Sequence, residues 1–180
     1  KSMLEHSVNP QEAGNPANYT PLHAAVASNH IRIARLLLRM GVNVNAKTVG
    51  EWDDHSAPLH EAICRDNIEA IRLLLRHGAD VDIEDESGST ALKQAAAWGD
   101  LALMRLLLAS GADVNKRKKG GSTALHFAAV YNKEKAVKLL LQRGADPNLT
   151  DENGKTALEA AEEYNAHNSC EILRGYVRRK

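Results

Sequence analysis

Histidine, cysteine and carboxylate groups are where chemistry would show first. His60-Glu61-Ala62-Ile63-Cys64 opens like the helix of a zinc hydrolase, in which a glutamate base follows a histidine ligand. The second histidine of that motif is missing, so the match carries no metal site. The two cysteines, Cys64 and Cys170, are too far apart in the sequence for ligand spacing and make no disulfide framework. Gly120-Gly121 has the makings of a turn rather than a phosphate cradle. No Ser/His/Asp pattern and no paired carboxylates stand out. The residues therefore predict neither catalysis nor a cofactor or metal.

Bulk properties leave binding as the open function. Lysine and arginine number 23, aspartate and glutamate 23, so the formal net charge is zero. Electrostatic recognition must then come from local clusters. Hydrophobic residues make up 43% and charged residues 26%, a foldable composition. Aromatic residues make up only 4%, with Phe127 the one phenylalanine. Leu, Ala, Ile and Val must fill the core, which suits thin layers of closely packed helices. No apolar run approaches the ~20 residues of a membrane span, and residues 1–10 lack the apolar stretch of a secretion signal. A reducing compartment is the expected setting, given so few cysteines.

The elements that position these residues repeat. Thr20-Pro21-Leu22-His23-Ala24-Ala25 is echoed by Ala57-Pro58-Leu59-His60-Glu61-Ala62 and Thr90-Ala91-Leu92-Lys93-Gln94-Ala95. Thr123-Ala124-Leu125-His126-Phe127-Ala128 and Thr156-Ala157-Leu158-Glu159-Ala160-Ala161 follow. Their second residues fall at 21, 58, 91, 124 and 157, a step of 37 and then three of 33. The first four segments each lead to a leucine run: Leu36-Leu37-Leu38, Leu73-Leu74-Leu75, Leu106-Leu107-Leu108 and Leu139-Leu140-Leu141. Each run meets a glycine, Gly41, Gly78, Gly111 or Gly144, and then an Asn/Asp-rich turn. Proline or alanine after a capping Thr starts the first helix. Leucines at helical spacing face a neighbour from the second helix, and the glycine supplies a left-handed stop. One such unit cannot bury its own apolar face, so stability must come from stacking.

The opening, the 33-residue step, the leucine run and the glycine stop together resemble the ankyrin repeat family. The resemblance spans residues 18 to about 173. It implies an all-α repeat solenoid, an array of helix-turn-helix units joined by β-hairpin loops. The expected segmentation is 1–17 for the end of a preceding or capping repeat and 18–47 for repeat 1. Residues 48–84 hold a long hairpin loop plus repeat 2, 85–117 repeat 3, and 118–150 repeat 4. The polar 151–173 reads as a C-terminal capping repeat, and 174–180 as a basic tail. The resemblance also implies that His23, His60 and His126 hydrogen-bond within and between hairpins. It further implies that hairpin tips and first-helix ends line one concave binding surface.

Three candidate binding features lie on those positions. Six residues after the motif leucines stand Arg65, Trp98, Tyr131 and Tyr164, with Ser28 breaking the series. An aromatic stripe with arginine has the composition of an interaction hot spot; the alternative is that the rings cover helix ends. The four-residue insertion places Glu51, Trp52, Asp53 and Asp54 on a lengthened tip, where Trp52 either meets a partner or folds back on its own loop. Charge is segregated among the tips: Glu51, Asp53 and Asp54; then Glu84, Asp85 and Glu86; then Lys116, Arg117, Lys118 and Lys119; then Asp151 and Glu152. Such a pattern orients a partner and speeds encounter, although charged tips are also ordinary solvated surface.

A protein or peptide partner is the leading expectation, for a scaffold, adaptor or targeting segment. The expected state is monomeric, intracellular (cytoplasmic, nuclear or both) and not inserted in a membrane. The alternative is a sensor of a phosphorylated small ligand or nucleic acid, using the basic tip and the aromatic column. Acidic tips on either side disfavour a long polyanion. A plain structural spacer is the third reading. Asn45, Asn115 and Asn148 resemble hydroxylation sites of some ankyrin proteins, with hydrogen bonding in the turn as the favoured role.

Overall fold

The computed structural model describes residues 18–48, 56–117 and 120–178. Helices alternate with turns throughout. The chain divides into two compact units, residues 1–87 and 88–180. The first holds α1 (Pro21–Ala27), α2 (Ile31–Arg39), α3 (Pro58–Cys64) and α4 (Ile68–Arg76). The second holds α5 (Ala91–Trp98), α6 (Leu101–Ala109), α7 (Ala124–Val130), α8 (Glu134–Gln142), α9 (Ala157–Glu163) and α10 (His167–Val177). In each unit the first helices of successive pairs pack side by side, α1 on α3 in one and α5 on α7 on α9 in the other. The second helices form a further layer.

The packing follows from residue size. Ala25, Ala62, Ala95, Ala128 and Ala161 are buried in the first helices, where a larger side chain would hold neighbouring backbones apart. Leu74, Leu107 and Leu140 are fully buried in the second helices. Each such leucine contributes roughly 1.5–3 kcal/mol of apolar burial. Leu36 occupies the same repeat position as Leu73 and Leu139 yet is 59% exposed, because no described helix pair precedes it.

Both corners of each of the first four helix pairs are left-handed. The leucine runs end at Gly41, Gly78, Gly111 and Gly144, with φ between +80° and +93°. In each, the glycine N–H and the next N–H return to carbonyls of the last turn, as in Gly111 N to Leu108 O (3.2 Å) and Ala112 N to Leu107 O (3.1 Å). This satisfies carbonyls that the helix end would otherwise orphan. The first helices end the same way at Asn29, Asp66, Gly99, Asn132 and Asn165, all with positive φ. Asn, Asp and Gly are the residues that tolerate that conformation best.

The expected hairpins are turns rather than strand ladders. Among the described residues the one β-bridge joins Thr150 and Thr156. Side-chain carboxylates and amides take the donors a ladder would use: Asn43 Oδ1 accepts Asn45 N, Asp80 Oδ1 accepts Asp82 N, and Asp113 Oδ1 accepts Asn115 N. Such local bonds favour a turn over a strand. Asn45 and Asn115 then reach the next turn. Asn45 Oδ1 accepts Asp80 N at 2.9 Å, and Asn115 Oδ1 accepts Asp146 N at 2.8 Å.

The motif histidines also join repeats. Nδ1 of His23, His60 and His126 accepts the backbone N–H of Thr20, Ala57 and Thr123. The proton must therefore sit on Nε2, which donates at 3.1 Å to the carbonyls of Ser56, Ile83 and Lys155 respectively. Lys93, at the same position, is buried and donates to Gly88 O at 3.1 Å. Glu159 performs only the accepting half, taking Thr156 N at 2.7 Å. In the last pair, Glu162, Glu163, Asn165 and Asn168 are exposed, as a polar cap requires. Helix α10 runs through Arg174, paired with Glu162 at 2.6 Å, to Val177, so the helix outlasts the expected boundary at residue 173.

Candidate functional site

The column residues occupy helix ends. Arg65 caps α3, Trp98 closes α5, and Tyr131 and Tyr164 cap α7 and α9. Each stands immediately before the left-handed residue of its corner: Asp66, Gly99, Asn132 or Asn165. The corner fixes the backbone, so the column side chain is placed whatever its type. Trp98 is 53% exposed, Tyr131 57% and Tyr164 66%.

The structure groups these residues only in part. Trp98, Tyr131 and Tyr164 all belong to the second unit, and Arg65 to the first. Arg65 Nε contacts Glu61 Oε1 at 2.8 Å on its own helix. That hydrogen bond and the charge of Glu61 raise the arginine's already high pKa. Glu86 is exposed on the first unit. Glu51, Trp52, Asp53, Asp54, Lys118 and Lys119 lie outside the described residues. Arg117 folds onto the adjoining turn, donating from Nη2 to Thr150 O (2.8 Å) and from Nε to Gly121 O (3.4 Å).

Beside the last two rings is a cavity of about 260 Å³ between α7 and α9. Phe127, Val130 and Ala160 provide its apolar lining, and Tyr131 and Tyr164 stand among its walls. Asp151 and Glu163 line it too. Asp151 Oδ1 accepts the backbone amides of Asn153 (2.9 Å) and Lys155 (3.0 Å). Burial, the largest single influence on that carboxyl, raises its pKa, but the two amides with His126 and Lys155 outweigh it and hold the group below the usual aspartate value. Asp151 therefore stays ionised. The sequence gives Asp151 only as a charged tip residue; its role as cavity wall depends on the way the turn folds beneath Tyr131.

The histidines are structural in this arrangement. His126 is buried, and burial lowers its pKa more than the Lys155 carbonyl and Asp151 raise it. Among the described residues no three His, Cys, Asp or Glu side chains converge as metal ligands.

A family model for the ankyrin repeat matches residues 17–49, and one for ankyrin repeats in three copies matches 49–118 and 115–178. The chain belongs to the ankyrin repeat family. Ankyrin repeats are in general protein–protein interaction modules and typically non-catalytic. No curated protein matches the chain. The ankyrin assignment agrees with the all-α array of helix pairs, the glycine corners and the histidine links. No described helix is long and apolar enough to cross a membrane.

Proposed function

We propose that this ankyrin array is a scaffold or adaptor segment that binds an extended stretch of a partner protein along Trp98, Tyr131 and Tyr164. The observation that carries this reading is that each of these three residues is more than half exposed at an equivalent helix end of one unit. Aromatic side chains supply large contact area at small conformational cost, and they dominate interface energetics. In this proposal Arg65, Glu86 and the long acidic tip around Trp52 are further partner contacts contributed by the first unit, and the array acts as a monomer inside the cell. The repeat boundaries 18–47, 48–84, 85–117, 118–150 and 151–173 complete it, with the corners at Asn29, Asp66, Gly99, Asn132 and Asn165 as support.

The test compares wild type with a Trp98→Ala/Tyr131→Ala/Tyr164→Ala variant in affinity capture from lysate, read by mass spectrometry. The expected result is a protein retained by wild type and lost by the variant, with thermal stability little changed. Capture of the same set by both would overturn the reading. A phosphate or nucleic-acid sensor finds less support, because Arg117 is committed to Thr150 and Gly121 and the neighbouring cavity wall is acidic. A polyanion partner would reveal itself by a steep loss of affinity with salt.

A further inference from the structure

From the cavity between α7 and α9 we infer a socket for a single cationic side chain, lysine or arginine, of the bound partner segment. This inference rests on the proposed interaction along the aromatic column. Its size points to a side chain: about 260 Å³ lies below the ~300–1,000 Å³ of sites that enclose a small molecule. Its walls point to a cation. Tyr131 and Tyr164 bring two phenol rings, whose faces attract positive charge at a distance of up to ~6 Å. Phe127, Val130 and Ala160 provide apolar surface for a methylene stem, the usual way long basic side chains are held.

The ionisable lining completes the case. Apart from the tyrosines and His126, it consists of Asp151 and Glu163, both acids. Asp151 uses Oδ1 for the two turn amides, which leaves Oδ2 outside those bonds. Glu163 uses Oε2 for Lys155 Nζ at 2.6 Å, which leaves Oε1. With burial lowering its pKa and Nδ1 already accepting the Thr123 amide, His126 does not oppose a guest charge. The cations nearby, Lys155 and Arg117, are not part of the lining and are occupied with Glu163 and with backbone carbonyls. An anionic guest would meet two carboxylates, and a purely apolar one would offer no donor to Asp151 Oδ2 or Glu163 Oε1.

The test titrates n-butylguanidinium, n-butylammonium, n-butanol and butyrate into the whole chain carrying ring-labelled tyrosine, observed by NMR. Both cations should shift the Tyr131 and Tyr164 resonances to saturation, while butanol and butyrate should not saturate over the same range. Asp151→Asn and Glu163→Gln should each weaken the cations by roughly threefold, and the double variant by roughly tenfold. Asparagine keeps the Oδ1 acceptor of the turn, so the first variant should fold normally. Equal saturation by butyrate or butanol would overturn the proposal, as would cation binding that the double variant leaves unchanged. If the aromatic triple variant loses its partners while the cations fail to bind, the interaction reading stands and the cation socket falls. If the triple variant captures the same proteins while the cations still saturate, the interaction reading falls and takes the assignment to a partner side chain with it.

Discussion

Replacing His126 by alanine should detach the last helix pair before the rest of the second unit unfolds. The imidazole makes two bonds that no other group can make from that position: Nδ1 accepts Thr123 N–H at 3.2 Å, and Nε2 donates to Lys155 O at 3.1 Å. Alanine leaves a buried amide and a part-buried carbonyl without partners. At ~1–3 kcal/mol for each group so orphaned, the loss comes to about 2–6 kcal/mol. The whole stability of a domain is only ~5–15 kcal/mol, so the effect is large. It is also localised, because Lys155 lies on the turn that leads into α9 and a repeat array is held by nearest-neighbour contacts. Urea denaturation followed by circular dichroism reads the total, and amide hydrogen exchange reads the place. Exchange should accelerate first in α9 and α10, with α5 and α6 protected. His126→Gln keeps an acceptor and a donor on one side chain and should recover part of the loss. A His126→Ala variant within ~0.5 kcal/mol of wild type, the range of an ordinary surface change, would refute the account of the histidine as a link between repeats.

Other expectations follow from the same geometry. Because burial holds the His126 pKa below its ordinary value of 6.5, the unfolded chain takes up that proton first; stability should be full above pH ~6.5 and fall as acid takes the pH below it, an effect that His126→Leu should flatten in pH-dependent melting curves. Leu140→Ala empties a fully buried site and should cost about 2–5 kcal/mol in denaturant titration. Gly144→Ala meets open space at Cβ and should cost only the left-handed backbone strain, ~1–2 kcal/mol, whereas at Gly121 an added Cβ would lie 2.9 Å from the Asp151 backbone and should cost more. A thiol reagent should modify exposed Cys64 quickly in the native protein and reach Cys170, whose pKa burial raises, only on unfolding; equal rates would contradict the burial of α10.

The architecture was legible because stacking imposes a period. Proline at Pro21 and Pro58, the leucine runs and the four stop glycines each answer a local physical demand, and the chain meets that demand again after one step of 37 residues and then every 33. The second left-handed column was equally present as Asn29, Asp66, Gly99, Asn132 and Asn165, but its mixed composition hides what its backbone shares. Lys93 was not legible as a buried residue. Its type belongs to the surface, and only the fold brings the Gly88 carbonyl to its ammonium. The exposure of Trp98, Tyr131 and Tyr164 could be expected from their position, whereas the cavity beside the last two depends on how the Asp151 turn folds, which spacing does not specify.

The corner that ends each first helix separates two evolutionary problems. Hydrogen bonds from the left-handed residue and its successor return to carbonyls of the last turn, so the backbone there is held without help from the side chain just before it. That residue can be Ser28, Arg65, Trp98, Tyr131 or Tyr164 on an unchanged frame. Under the proposed function, substitution at these addresses rewrites partner preference while the fold stays the same. A lineage of such arrays could diversify its interactions without passing through unfolded intermediates.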